Sequence, residues 1–105
     1  MDATKSLAAA NDEVIFNLAD NEAEDILIQV VGAGSYTLQL QVSADGVTYN
    51  PVQVIPVDTG TATLNISGPG TYRRDALAGK SAKVKMTAFV SGGPAVVTVR
   101  TMRWG

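Results

Sequence analysis

The sequence predicts an all-β protein, folded as an antiparallel β-sandwich or small jelly roll of about seven strands. Three observations support this fold class. Valine, isoleucine and threonine, which favour strands, account for 28 of the 105 residues. Ten glycines recur at short intervals, as tight connections between strands require. Residues 36–43 alternate apolar and polar side chains without a break, the pattern of a strand with one buried face.

The predicted strands follow one another at short spacing. Asp45-Gly46 can supply the positive φ of a hairpin loop, and residues 58–60 and 91–94 have the composition of connections. Pro51 and Pro56 flank or interrupt the fourth strand, so this strand is expected to be short or to lie at an edge. Consecutive strands are expected to pair. The predicted strands are 13–18, 26–31, 36–43, 52–57, 61–66, 82–90 and 95–103.

Two segments interrupt this pattern. The Gly32-Ala33-Gly34 segment lies between two predicted strands, so we interpret it as a hairpin turn and not as a phosphate-binding loop, which would open a helix. The Gly68-Pro69-Gly70 segment forces a sharp loop. Residues 71–79 are then expected to form one helical turn that ends at Gly79.

The length fits a single domain with one core. Residues 1–11 are predicted to form an N-terminal arm, either disordered or ordered against a neighbouring subunit, and residues 12–105 a single β-sandwich domain. The apolar stretch 7–10 is far shorter than the roughly 20 residues of a membrane-spanning helix and has no basic leader. We therefore expect neither a signal peptide nor a membrane partner.

The composition removes most catalytic chemistry. The chain has no histidine and no cysteine, which excludes imidazole bases, thiol nucleophiles and disulfides. An enzymatic activity is not expected, and neither is a cofactor or a metal. The acidic cluster at residues 20–25 is interpreted as a solvated turn, with calcium binding as the alternative.

The charges are unevenly distributed. The formal net charge is −2, which weighs against attraction to nucleic acid. Lys83 and Lys85 with Phe89 nearby nevertheless form a weak version of the basic surface with aromatic residues that binds single-stranded nucleic acid. Seven of ten acids lie in the first 25 residues, and seven of eight bases lie from residue 73 onward. The two groups can pair within one subunit or between copies. The candidate partner-contact residues are Asp20, Glu22, Glu24, Asp25, Lys83, Lys85, Arg100, Arg103 and Trp104, the last either packed on its own sheet or anchored in a partner.

A neutral polar surface is also predicted. Glutamines can occupy outward positions on the second to fourth strands, and such a surface could bind sugar hydroxyls or another subunit. Sugar binding usually also needs an aromatic platform. The candidate glycan-binding residues are Gln39, Gln41, Gln53, Tyr49 and Tyr72.

The segment 41–52, a strand followed by an Asp-Gly turn, an aromatic residue and a second strand, resembles small β-sandwich virion proteins of tailed bacteriophages and also discoidin-type carbohydrate-binding modules. The segments 70–79, 82–88 and 91–102 are similar to the C-terminal pattern of the phage proteins. This resemblance implies a head decoration or cement protein present in many copies, with tail or fibre attachment in host adsorption as the alternative. The implied partners are the major capsid protein or other virion proteins. The implied state is a homo-oligomer, for which the resemblance offers a trimer, and the implied location is the virion after synthesis in the host cytoplasm.

Overall fold

The computed structural model describes residues 2–18 and 23–103, and within them it shows nine strands and no helix. The strands are β1 (Asp2–Leu7), β2 (Glu13–Asn17), β3 (Glu24–Val31), β4 (Ser35–Ser43), β5 (Asn50–Val52), β6 (Ile55–Pro56), β7 (Gly70–Leu77), β8 (Ser81–Ser91) and β9 (Ala95–Arg103).

The strands form two antiparallel sheets packed as a sandwich. The order is β1-β9-β3-β7-β6 in the five-stranded sheet and β2-β8-β4-β5 in the four-stranded sheet. The chain crosses repeatedly from one sheet to the other, which is the connectivity of a jelly roll. The predicted fold class is confirmed.

The pairing order differs from the expected one. Among neighbours in the chain, only β4 with β5 and β6 with β7 pair directly. Because β3 and β4 lie in different sheets, the segment from Gly32 to Gly34 connects the two sheets, and the hairpin prediction for it is wrong. The predicted fourth strand is split into β5 and β6, which contain Pro51 and Pro56 and lie at sheet edges, as the prolines indicated.

Two further local predictions are wrong. Residues 61–66 do not form a strand, although Thr63 and Ile66 make isolated bridges to Val54 and Leu38. Residues 71–79 do not form a helical turn but belong largely to β7, because β3 and β6 offer backbone partners on both sides. An extra residue in β7 forms a bulge, where Ala76 has a φ of 53° and donates its N–H to Asp25 Oδ1 at 3.0 Å.

The N-terminal segment contributes a strand. β1 pairs along its whole length with β9 at the edge of the five-stranded sheet, and Leu7 is fully buried. Residues 2–7 are thus an edge strand of the five-stranded sheet.

The core lies between the sheets. The alternation is confirmed over residues 36–41, where Tyr36, Leu38 and Leu40 are buried, but it ends at Val42, which is half-buried, and Ser43, which is buried. In β8, Val84 and Met86 are buried, whereas register shifts against β4 change the alternation beyond them, so that Phe89 packs against the core and Val90 is exposed. The remaining large, almost fully buried side chains are Phe16, Leu7, Ile26, Ile28, Ile66, Val30, Val54 and Val97.

One end of the sandwich is closed by contact between two loop backbones. A Cβ atom built on Gly34 would lie 2.4 Å from the carbonyl oxygen of Gly93. The connection between β3 and β4 therefore packs directly on the connection between β8 and β9, and only glycine fits at this approach.

Candidate interaction surfaces

The outer face of the five-stranded sheet carries a row of short polar side chains. The row runs across β1, β9, β3 and β7, and each residue lies directly opposite the next: Thr4, Thr98, Gln29 and Thr71. The Thr4 hydroxyl donates to the Thr98 hydroxyl at 3.2 Å. This row gives the middle of the face an uncharged surface able to form hydrogen bonds.

Apolar side chains flank that row on both sides. Val31 and Val96 face each other near the loop end and are 55% and 38% exposed. On the other side, Leu27 lies opposite both Arg73 and Arg100. We call this surface, made of the polar row with Leu27, Val31 and Val96, the five-strand face.

The five-strand face contains a depression near its centre. This depression of about 160 Å³ is lined by Leu27, Gln29, Thr98 and Arg100. Arg73 pairs with Asp75 at 2.9 Å, and both side chains are about half exposed. The exposed apolar pair Val31 and Val96, with polar side chains around it, is an arrangement found at protein-docking surfaces.

The outer face of the four-stranded sheet contains an ion pair joined to an aromatic ring. Lys83 Nζ lies 2.9 Å from Glu13 Oε2 and 4.3 Å from the centroid of the Tyr49 ring. The Tyr49 hydroxyl donates to Ser81 Oγ at 2.9 Å, and Ser81 Oγ donates to the Phe16 carbonyl at 3.3 Å. One acid of the N-terminal half is thus paired with one base of the C-terminal half inside the subunit.

Amide side chains continue this surface. Gln39 Nε2 donates to Asn65 Oδ1 at 2.9 Å, and Gln41 Nε2 donates to Gln39 Oε1 at 3.3 Å. Lys85 lies on β8 between Glu13 and Gln39. We call the set Gln39, Gln41, Tyr49, Asn65 and Lys83 the four-strand face.

Two of the candidate glycan-binding residues lie elsewhere. Gln53 is exposed between β5 and β6, and its carbonyl accepts from Arg74 Nη1 at 3.2 Å. Tyr72 points inward from β7, and its hydroxyl donates to the Gly68 carbonyl at 3.0 Å. Burial raises the pKa of the Tyr72 phenol, and Asp58 adds to that shift. The structure therefore brings together three of the five candidates, Gln39, Gln41 and Tyr49.

The predicted partner-contact residues are dispersed. Glu24 is buried at the start of β3, whereas Asp25 lies on the opposite side of the strand. Lys83 and Lys85 lie on the four-stranded sheet, and Arg100 lies on the five-stranded sheet. Asp20, Glu22, Trp104 and the side chain of Arg103 lie outside the described residues.

The loop between β4 and β5 is held by one carboxylate. Asp45 Oδ1 accepts from the N–H groups of Val47 and Thr48 at 2.8 and 2.9 Å and from Ser43 Oγ at 2.8 Å. These hydrogen bonds, the Thr48 N–H first, lower the pKa of Asp45 to about 2. Val47 is left 81% exposed at the tip of this ordered loop.

The sequence did not reveal the apolar part of the five-strand face. Residues 26–31 contain apolar side chains at both alternating sets of positions, which indicates a strand covered on both faces. The structure covers only the inner side, where Ile26, Ile28 and Val30 are buried. The apolar run itself could have indicated this surface, because it contains more apolar side chains than a strand with one buried face needs.

The described part of the chain lacks two other kinds of site. Residues 2–18 and 23–103 contain no group of three or more acidic side chains placed to hold a metal ion. The same ranges contain no helix of the length and apolarity that a membrane crossing requires.

Comparison with known proteins gives a structural match. No protein-family description and no curated protein sequence matches the chain. The SPBc2 prophage-derived protein YomS superposes on 96% of this chain and 93% of its own, with a TM-score of 0.74 and 9% sequence identity. The chain shares its fold with YomS. A de novo designed double-stranded β-helix covers 96% of the chain with 12% identity and a TM-score of 0.46.

Proposed function

We propose that the chain is a non-enzymatic structural component of a phage particle: a decoration or cement protein that binds the capsid surface in many copies. The observation that carries this proposal is the fold shared with a prophage-derived protein over nearly the full length of both chains. The resemblance of residues 41–52 and 70–102 to phage virion proteins points the same way. The partner on this proposal is the major capsid protein, and the location is the virion.

The five-strand face supplies the docking surface on this proposal. Val31 and Val96 form an exposed apolar pair, and Thr98 and Gln29 beside them can form hydrogen bonds across an interface. The depression of about 160 Å³ is smaller than the roughly 300–1,000 Å³ of a small-molecule pocket, so this face suits a protein partner better than a small ligand. Many identical weak contacts on a lattice also give strong retention.

The test uses purified particles of the phage or induced prophage that encodes the chain. Quantitative mass spectrometry should find the chain in a fixed ratio to the major capsid protein. Val31→Lys should remove it from the particles, because a lysine would place a charge in the apolar part of the interface. Val47→Lys is the matched control, since Val47 is also exposed but lies on a loop away from this face.

Three results would contradict the proposal. The first is absence of the chain from the particles, and the second is its presence in only a few copies per particle. The third is equal retention of Val31→Lys and Val47→Lys. A few copies per particle would instead favour attachment to the tail or a fibre.

A second candidate function is glycan binding during host adsorption. It is favoured by the four-strand face, where Gln39, Gln41 and Asn65 present amides next to the Tyr49 ring. A glycan array with the purified chain tests this function. Binding that is lost in Gln39→Ala and kept in Val31→Lys would support it, and the absence of binding across the array would remove it.

A further inference from the structure

The four edge strands of the sandwich differ in how well they are protected from pairing with another chain. β5 and β6 are very short and contain Pro51 and Pro56, and β1 carries Lys5 near its centre. Proline, lysine and short length are the usual devices that block an edge. β2, Glu13–Asn17, has neither proline nor lysine of its own, and Lys5 Nζ of β1 reaches its Glu13 carbonyl at one end, at 2.9 Å. The middle of this edge, at Ile15, has none of these devices.

The backbone of β2 leaves hydrogen-bonding groups directed away from the sheet. Leu18 N–H donates to the Lys80 carbonyl at 3.1 Å, and Met86 N–H donates to the Asp12 carbonyl at 2.8 Å. In an antiparallel ladder these bonds alternate, so the even-numbered residues face β8 and the odd-numbered ones face away. Among the described strands, β8 is the one that pairs with β2. The N–H and C=O of Ile15 therefore point outward from the edge.

Side chains at this edge also suit a second copy. Ile15 lies at the centre of β2 and is 52% exposed, with Glu13 and Asn17 on the same face at either side. We infer that β2 pairs antiparallel with β2 of a second copy about a two-fold axis at Ile15. This pairing joins two four-stranded sheets into one eight-stranded sheet.

The self-pairing is complementary in charge and polarity. Ile15 meets Ile15 of the second copy, which makes an apolar cross-strand pair. Glu13 meets Asn17 of the second copy, so that no like charges face each other and the amide can donate to the carboxylate. Lys5 Nζ, which now donates to the Glu13 carbonyl at 2.9 Å, gives up this acceptor to the N–H of the second copy's Asn17.

The expected association is reversible. Only one short strand from each copy takes part, so the buried area is small and a concentration-dependent equilibrium between monomer and dimer follows. On a particle surface the same contact would link neighbouring copies. The inference does not depend on the proposed function, because its test uses the purified full chain alone.

Sedimentation equilibrium over a range of protein concentrations measures the association constant. Ile15→Pro should lower the association constant at least about tenfold, because proline removes the outward N–H that pairs with the second copy. This N–H is not used in the pairing of β2 with β8. Ile15→Lys should have the same effect by placing two like charges opposite each other. Val90→Lys is the matched control and should leave the constant unchanged, because Val90 is exposed on β8 away from the β2 edge. If circular dichroism shows that the proline variant does not fold, the association constant of Ile15→Lys tests the pairing of β2 with β2.

Amide hydrogen exchange locates the contact. The Ile15 N–H should exchange more slowly as the protein concentration rises, because it becomes bonded in the dimer. The inference is overturned if the chain stays monomeric at every concentration, if Ile15→Lys dimerises as well as the unchanged chain, or if Ile15 exchange is independent of concentration.

Discussion

Replacing Gly34 by alanine should destabilise the protein by crowding two backbones. The new Cβ would lie 2.4 Å from the Gly93 carbonyl oxygen and 2.9 Å from that of Ser91, both closer than such atoms normally approach. Both obstacles are backbone atoms, so no side chain can rotate to make room. Gly34 is not among the glycines with a positive φ, so crowding alone causes the effect.

The expected magnitude follows from comparison with a neighbouring glycine. Inserting a methyl group into a tightly packed site costs about 1–3 kcal/mol. A Cβ built on Gly93 meets nothing within 4 Å, and Gly93 also has no positive φ. Gly93→Ala should therefore be neutral or stabilise by about 0.4–1 kcal/mol, because it restricts the unfolded chain. The two variants should differ by about 1–4 kcal/mol.

Urea unfolding followed by circular dichroism measures this difference, with thermal melting as a second assay. A domain of this size shifts in Tm by about 4 °C or more for each kcal/mol. Equal stability of the two alanine variants would refute the close packing of the β3–β4 and β8–β9 connections and with it the geometry of this end of the sandwich.

Three further substitutions test individual contacts. Tyr49→Phe should lower the free energy of unfolding by about 0.5–1.5 kcal/mol, because it removes the hydroxyl that donates to Ser81; an unchanged urea midpoint would contradict this hydrogen bond. The folded-state pKa of Asp45, about 2, lies below its unfolded value of 3.8, so its contribution to stability is complete above that value and is lost as the pH falls towards 2. The free energy of unfolding of Asp45→Asn should therefore fall less than that of the unchanged protein between pH 3.8 and pH 2. Equal decreases in the two proteins would contradict this role of Asp45. Glu13→Gln should cost about 1–2 kcal/mol at low salt, because the largely covered Lys83 ammonium loses its partner, and a variant as stable as the unchanged protein would show that the pair contributes nothing.

The fold class could be predicted from the sequence because alternation determines which side chains face a core. Tyr36, Leu38 and Leu40 show this directly. Alternation does not determine which strand lies beside which. The connection from Gly32 to Gly34 has the composition of a hairpin turn but crosses between sheets, since backbone geometry permits both and only long-range packing decides between them.

The missed strand β7 has a different cause. Thr71, Arg73 and Asp75 face outward, while Arg74 and Tyr72 occupy inward positions that usually hold aliphatic residues. The pattern is therefore polar on both sides, and nothing in the local sequence marks it as a strand. Its pairing with β3 and β6 supplies the order that local propensity lacks.

The candidate surfaces could be predicted only where their residues belong to one strand. Gln39 and Gln41 are alternate residues of one strand, so their common face followed from the sequence. The exposed pair Val31 and Val96 joins residues far apart in the chain, and only the register of β3 with β9 brings them together.

Cryo-electron microscopy of particles that contain the chain tests the central claim most directly. We expect jelly-roll density repeated across the outside of the capsid, with the five-strand face, including Val31 and Val96, turned towards the major capsid protein. Density confined to the tail or fibres, or a capsid contact made by another surface while the five-strand face stays in solvent, would contradict it.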